Sequence, residues 1–164
     1  MSSPVAGYSR LQIALHWLVV VAVAAQYLFN DAIGAAWRAF TTGTTLAFDP
    51  LVATHVFTGI AIGVLVLWRL VLRLRRGVPP PPEQEHPALK AIAHATHWAF
   101  YLVLVLLVAS GGLAWFGGIG AAAIAHNVLK VALIALIVLH VAGALFQWIV
   151  LKSDVLTRMF RAAA

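Results

Sequence analysis

The chain has 164 residues, of which 63% are hydrophobic and 10% charged, with a mean hydropathy of +0.96. Soluble domains average about 45–50% apolar and about 25% charged residues, so this composition excludes a soluble domain and points to one integral membrane domain over residues 1–164. The formal charge is +6 and cysteine is absent, which excludes disulfides, thiolate redox chemistry, iron–sulfur ligation and covalent haem attachment through C-x-x-C-H.

The first apolar segment runs from about residue 11 to 29, with His16 and Trp17 near its start. It lacks a small-residue cleavage site and reads as a retained membrane helix, not a signal peptide. A mixed stretch follows, residues 30–50, with Asp31, Trp37, Arg38 and Asp49. The second segment, about 51–72, has His55 near its start and Trp68-Arg69 near its end. Four consecutive prolines then rule out helix, so RLRRGVPPPPEQEHPALK is an extended linker. The third segment, about 91–116, opens on His94 and His97; a glycine-containing turn, 117–120, leads into the fourth, about 121–150. The tail LKSDVLTRMFRAAA is basic and amphipathic and is expected to lie on the membrane surface. Each segment is long enough to cross a bilayer as one helix. The expected fold is an all-α membrane protein, a four-transmembrane-helix up-down bundle.

Lysine and arginine set the orientation. The N-terminus, the second connection and the tail, with their flanks, hold Arg10, Arg69, Arg73, Arg75, Arg76, Lys90, Lys152, Arg158 and Arg161, against Arg38 and Lys130 elsewhere. By the positive-inside rule both termini are expected in the cytoplasm. The basic charge is thus a topology signal, and no nucleic-acid partner is expected.

The fourth segment carries the strongest functional signal. His126 and His140 lie fourteen positions apart, roughly 21 Å along a helix and about 40° short of four full turns, so both leave nearly the same face. Ionisable residues inside a membrane are costly and mark function, and imidazole holds haem iron axially. Depth then pairs His55 with His126 at an outer site and His16 with His140 at an inner one. The inner match is imperfect, because His16 is six residues from Arg10 and His140 twelve from Lys152; His97 is the alternative inner partner. Gly59 and Gly143 share faces with His55 and His140 and would clear a haem edge, or let helices approach closely. The competing readings are histidines hydrogen-bonded between helices, or a zinc site. Zinc is disfavoured because no three or four His, Asp or Glu residues converge at one depth.

Other residues support the site less directly. Arg10, Arg69 and Arg73 are candidates to pair with haem propionates on the inner side, and Lys130 or Arg38 on the outer. Lys130 stands inside an apolar run, four residues past His126, and is the candidate catalytic residue. His94 and His97 share a face and are candidates for quinone binding or proton handling, or are interfacial polar residues at a helix start. His86 is expected to be solvated and silent, and the six tryptophans to form an aromatic belt.

The motifs YSRLQIALHW, ATHVFTG, RLVLRLR followed by prolines, AHATHW, the AHN…LH pair and LKSDVLTRM together resemble the prokaryotic cytochrome b561 family, over nearly the whole chain. The resemblance extends to the superoxide oxidase and hydrogenase-type cytochrome b relatives. It implies two haems b ligated by His16, His55, His126 and His140, and electron exchange with ubiquinone in a bacterial inner membrane, often as a homodimer. It further implies an outer-face donor such as superoxide or a redox protein. The leading expectation is superoxide:ubiquinone oxidoreduction. The alternatives are a passive electron-relay subunit for a partner dehydrogenase or periplasmic protein, and a haem-free structural bundle.

Overall fold

The computed structural model describes residues 7–45, 47–82 and 85–163. Five α-helices account for most of them: α1 (Arg10–Leu28), α2 (Asn30–Thr41), α3 (Pro50–Arg76), α4 (Pro87–Gly117) and α5 (Gly120–Ile149). All but α2 are long and apolar enough to cross a membrane, and the described residues include no strand. The protein is therefore an all-α, four-span membrane bundle.

Local chemistry sets the helix ends. Ser9 and Gln12 form a reciprocal capping box at the start of α1, satisfying two amide donors that have no partner within the helix. Asp49 caps α3 and Pro50 takes its first position, where a missing N–H costs nothing. The same pattern starts α4: His86 Nδ1 accepts from the Ala88 amide and Pro87 follows. His86 is thus exposed as expected but is a helix cap, not a silent residue. Gly118, in the left-handed region at φ 65°, ends α4 and permits the tight turn into α5. These caps extend the second and third spans beyond the apolar runs, to 27 and 31 residues.

The stretch between the first two spans is helical, which its mixed composition concealed. In α2, Ile33, Ala36, Trp37 and Phe40 recur at helical spacing. Phe40 reaches the α4–α5 turn, where its ring lies 3.3 Å from the position of a Cβ on Gly118. α2 therefore closes the end of the bundle opposite the termini, called here the far end.

The spans pack α1 on α3, α3 on α4 and α4 on α5. Their shared core is Val19, Ile62, Val66, Leu104, Leu107 and Leu133. α1 and α5 meet mainly through side chains. Tyr27 donates to the Lys130 carbonyl at 2.7 Å, and Lys130 Nζ to Asn30 Oδ1 at 2.6 Å.

At the terminal end the tail folds back onto the bundle. Lys152 turns the chain in the left-handed region (φ 51°). The Trp17 indole donates to the Met159 carbonyl at 2.9 Å and packs against Phe160. Arg158 donates to the Pro80 carbonyl, and the Ala163 amide to Tyr8. Gln147 donates to Glu85 and accepts from Ser153, tying the linker to α5 and the tail. Burial pushes the Tyr8 phenol up, and the hydrogen bond from Arg158 lowers Asp154.

The tight contact of α3 with α4 at Gly63 predicts a packing effect. A Cβ at Gly63 would stand 3.0 Å from Val108 Cγ1. Gly63→Val should destabilise the bundle by about 1–3 kcal/mol through overpacking, and adding Val108→Ala should recover part of the loss. Thermal unfolding in detergent, followed by circular dichroism, measures both.

Candidate functional site

At the far end, α3 and α5 bring His55 and His126 to one cavity of about 470 Å³. That volume suits a cofactor of ordinary size. Lys130, Arg38 and Gly59 also line it, and much of the rest is aliphatic and aromatic. α2 contributes Ile33, Gly34, Trp37 and Arg38, so the stretch first read as a connection supplies a wall of the site.

The two imidazoles are held differently. His126 Nδ1 lies 2.9 Å from the Leu107 carbonyl and 3.4 Å from Ser110 Oγ. The carbonyl can only accept, so Nδ1 carries the proton and donates it. Nε2 is then the lone-pair nitrogen, free for a metal. This is the usual arrangement behind a ligating histidine, with the second nitrogen anchored to a carbonyl. Gly111 makes room for it, since a Cβ there would sit 3.1 Å from the His126 ring. Among the described residues His55 has no such anchor: its Nδ1 is buried without a hydrogen-bond partner. Its backbone carbonyl accepts from Gln26 Nε2 at 2.9 Å.

At the terminal end three imidazoles gather. The His16 and His140 ring centroids are 6.4 Å apart, and those of His97 and His140 5.5 Å apart and nearly perpendicular. Phe100 packs edge-on against His140 from another side. His16 and His140 are therefore level, despite their unequal distances in sequence from the nearest basic residues. Among the described residues no three His, Asp or Glu side chains converge on one metal-sized point.

The cations divide. Arg69 is half-buried near Tyr8, Arg73 and Tyr101, and its Nη1 is buried without a partner among the described residues. A buried guanidinium nitrogen of this kind fits a carboxylate-bearing ligand. Arg73 stacks on the Trp98 ring at 5.5 Å. Arg10 is exposed at the first residue of α1. Lys130 donates to Asn30 and, at 3.4 Å, to Asn127, so its ammonium has neutral partners. His94 and His97 share a helix face by spacing but not surroundings. His94 is exposed and accepts from the Trp98 indole at 2.9 Å, whereas His97 turns inward to His140.

Neither glycine singled out by its spacing lies at a tight helix contact. A Cβ at Gly59 would meet only Gln26, at 3.5 Å, and one at Gly143 nothing within 4 Å. The tight positions are Gly63 and Gly111. Gln26, Tyr27, Asn30, Ser110 and Gly111 are site residues that the histidine spacing did not reveal. A signal for them existed: Gln26-Tyr27 and Ser110-Gly111 are polar or small pairs inside otherwise aliphatic runs.

Two imidazoles over one cavity, two more facing each other at a second level, and a buried arginine lacking an anion fit a group such as haem, with axial nitrogens and acidic substituents. The comparisons with known proteins agree. A family model described as prokaryotic cytochrome b561 matches residues 7–162. The chain is 35% identical to cytochrome b562 of Cereibacter sphaeroides over 94% of its own length and 96% of that protein's. It is 30% identical to cytochrome b561 homolog 1 of Escherichia coli, over 93% and 96%. It is 33% identical to the probable superoxide oxidase CybB of Yersinia pestis over 61% and 53%. This chain belongs to the prokaryotic cytochrome b561 family, membrane-embedded electron-transfer proteins that carry haem b.

Proposed function

We propose that the protein is a dihaem cytochrome moving single electrons between its far and terminal ends, with His55 and His126 as axial ligands at one and His16 and His140 at the other. The observation that carries this reading is the two-level pairing: α5 offers one histidine at each level, and a different helix supplies each partner. His16 and His140 come from different helices with ring centroids 6.4 Å apart and would hold the second haem; His97, with its centroid 5.5 Å from that of His140, is the alternative partner there. Haem held by two imidazoles supplies outer-sphere one-electron transfer and has no open position for oxygen. The Arg69 guanidinium, and Arg73 beside it, would bind the propionates of the terminal-end group.

The excess of lysine and arginine at the terminal end supports a cytoplasmic placement of both termini, with the far end outward in a bacterial inner membrane. The favoured donor is superoxide. Lys130 and Arg38 both line the far cavity, and the Lys130 ammonium has neutral amide partners, so their positive charge would draw a small anion. The Yersinia pestis relative's name points the same way. In the balanced reaction two superoxide anions each give up one electron and become dioxygen. One ubiquinone takes both electrons and two protons and becomes ubiquinol. His94, which is exposed while His97 packs against His140, would pass those protons from water. The second reading is an electron relay for a partner protein. It draws support from the two relatives that match nearly the whole chain, which are named only as cytochromes.

Three measurements test this. A pyridine haemochrome assay should give two haems per chain, and alanine at His16, His55, His126 or His140 should each remove one. Gly111→Ala should lower far-end haem occupancy by displacing the His126 ring. Gly120→Ala, at a position with nothing within 4 Å of its Cβ, should leave occupancy unchanged. Purified protein should be reduced by superoxide and reoxidised by ubiquinone with no partner present, and Lys130→Ala should slow the first step about tenfold. Two haems without either electron-transfer step would favour the relay.

A further inference from the structure

Two buried polar groups beside the far-end cavity lack partners, and they are complementary. His55 Nδ1 and Gln26 Oε1 are both buried with no hydrogen bond among the described residues. The Gln26 amide orientation follows from its other contact. Its nitrogen must face the His55 carbonyl at 2.9 Å, because two carbonyl oxygens cannot share a hydrogen bond. Its oxygen is therefore an acceptor without a donor. If His55 gives Nε2 to a metal, its Nδ1 becomes a donor without an acceptor. Gln26 and His55 also line a second, small void of about 10 Å³, with Thr54 and Thr58 at its edge. That is about the volume one water molecule needs. The Thr54 hydroxyl already donates to the Pro50 carbonyl at 2.8 Å, so its proton is committed there and does not supply the donor that Gln26 Oε1 lacks.

We infer that Gln26 is the positioning residue for His55: its amide nitrogen fixes the His55 backbone, and its oxygen, through one water in the small void, accepts the Nδ1 proton of the His55 imidazole. It does for His55 what the Leu107 carbonyl does for His126. The two anchors differ in kind. One is a backbone carbonyl on α4 that no substitution removes, and the other a side chain on α1 that sequence change can tune. An acceptor behind a ligating imidazole raises its basicity, which favours ferric over ferrous iron. Gln26 thereby sets the reduction potential of the far-end haem and leaves the other unaffected.

This inference rests on the dihaem reading and is tested so that the two can fail separately. Gln26→Leu keeps the approximate shape and removes the acceptor; Gln26→Glu replaces it with a stronger one. Potentiometric titration of the purified holoprotein should show one of two potentials rising in Gln26→Leu and falling in Gln26→Glu. A tenfold change in that haem's reduction equilibrium is 59 mV for one electron. The same haem's low-spin electron paramagnetic resonance signal should shift, and haemochrome stoichiometry should stay at two. Loss of the haem in Gln26→Leu alone, with Gln26→Glu retaining it at a lower potential, also supports the assignment. Both potentials at parent values in both variants, shifts in the same direction, or loss of the haem in both variants overturns it. A parent protein that keeps both haems after His55→Ala overturns the dihaem ligand reading, and this inference falls with it.

Discussion

An imidazole placed in hydrocarbon must find a partner for each ring nitrogen, and the bundle is arranged around that requirement. Leaving a buried polar group unpaired costs about 1–3 kcal/mol, and no lipid tail can supply a partner. For His126 the solution fixes the α4–α5 contact. The Leu107 carbonyl becomes available because Ser110 and Gly111 sit one turn on, the first small and the second without a side chain. The Ser110 hydroxyl bonds back to the Leu106 and Leu107 carbonyls, as serine does in apolar helices. Gly111 leaves the space that the ring fills. Close packing of α4 on α5 and orientation of one histidine are thus the same event.

The opposite seam works by separation. At Lys130, α5 is tied to α1 through Tyr27 and to α2 through Asn30. A long side chain can bridge a gap that a leucine stripe would close, so this polar seam leaves room for a cavity beside it. The core cluster lies mainly where α1, α3 and α4 converge, with Leu133 from α5, and holds the bundle together without filling that space.

Much of this was legible in the sequence, for physical reasons. Span number follows from hydropathy, because an apolar run of that length has few other stable environments. The His126–His140 spacing fixes two levels and one face, because a helix has a single rise and pitch. What stayed hidden depended on contacts remote in the chain. Residues 30–41 carry helical periodicity, but Asp31, Arg38 and their small neighbours look like a loop until Phe40 finds Gly118. Distance from the nearest basic residue misjudged the depth of His140, because the chain folds back at Lys152 and seats the tail on Trp17. His94 and His97 looked equivalent by spacing, yet only one faces another histidine. A backbone acceptor such as the Leu107 carbonyl leaves no mark in the sequence, since any residue at 107 would provide it.

Charge distribution carries the argument one step further. The chain has 5 acidic residues, and none of those described is available to the cations at the two sites. Asp31 is exposed on α2, and Asp49 caps α3. Glu85 accepts from Gln147, and Asp154 pairs with Arg158 in the tail; Glu83 lies outside the described residues. Arg69 and Lys130 thus sit in a largely apolar bundle with neutral oxygens for company. A fold under selection only for stability has little reason to leave cations so placed, because a buried charge without a counter-ion is among the costliest features a protein can hold. At the terminal end Arg69 is half-buried, with one buried guanidinium nitrogen unpaired among the described residues, which suits a resident group with carboxylates. At the far end Lys130 and Arg38 line an open cavity, which suits a visitor that arrives as an anion and leaves neutral.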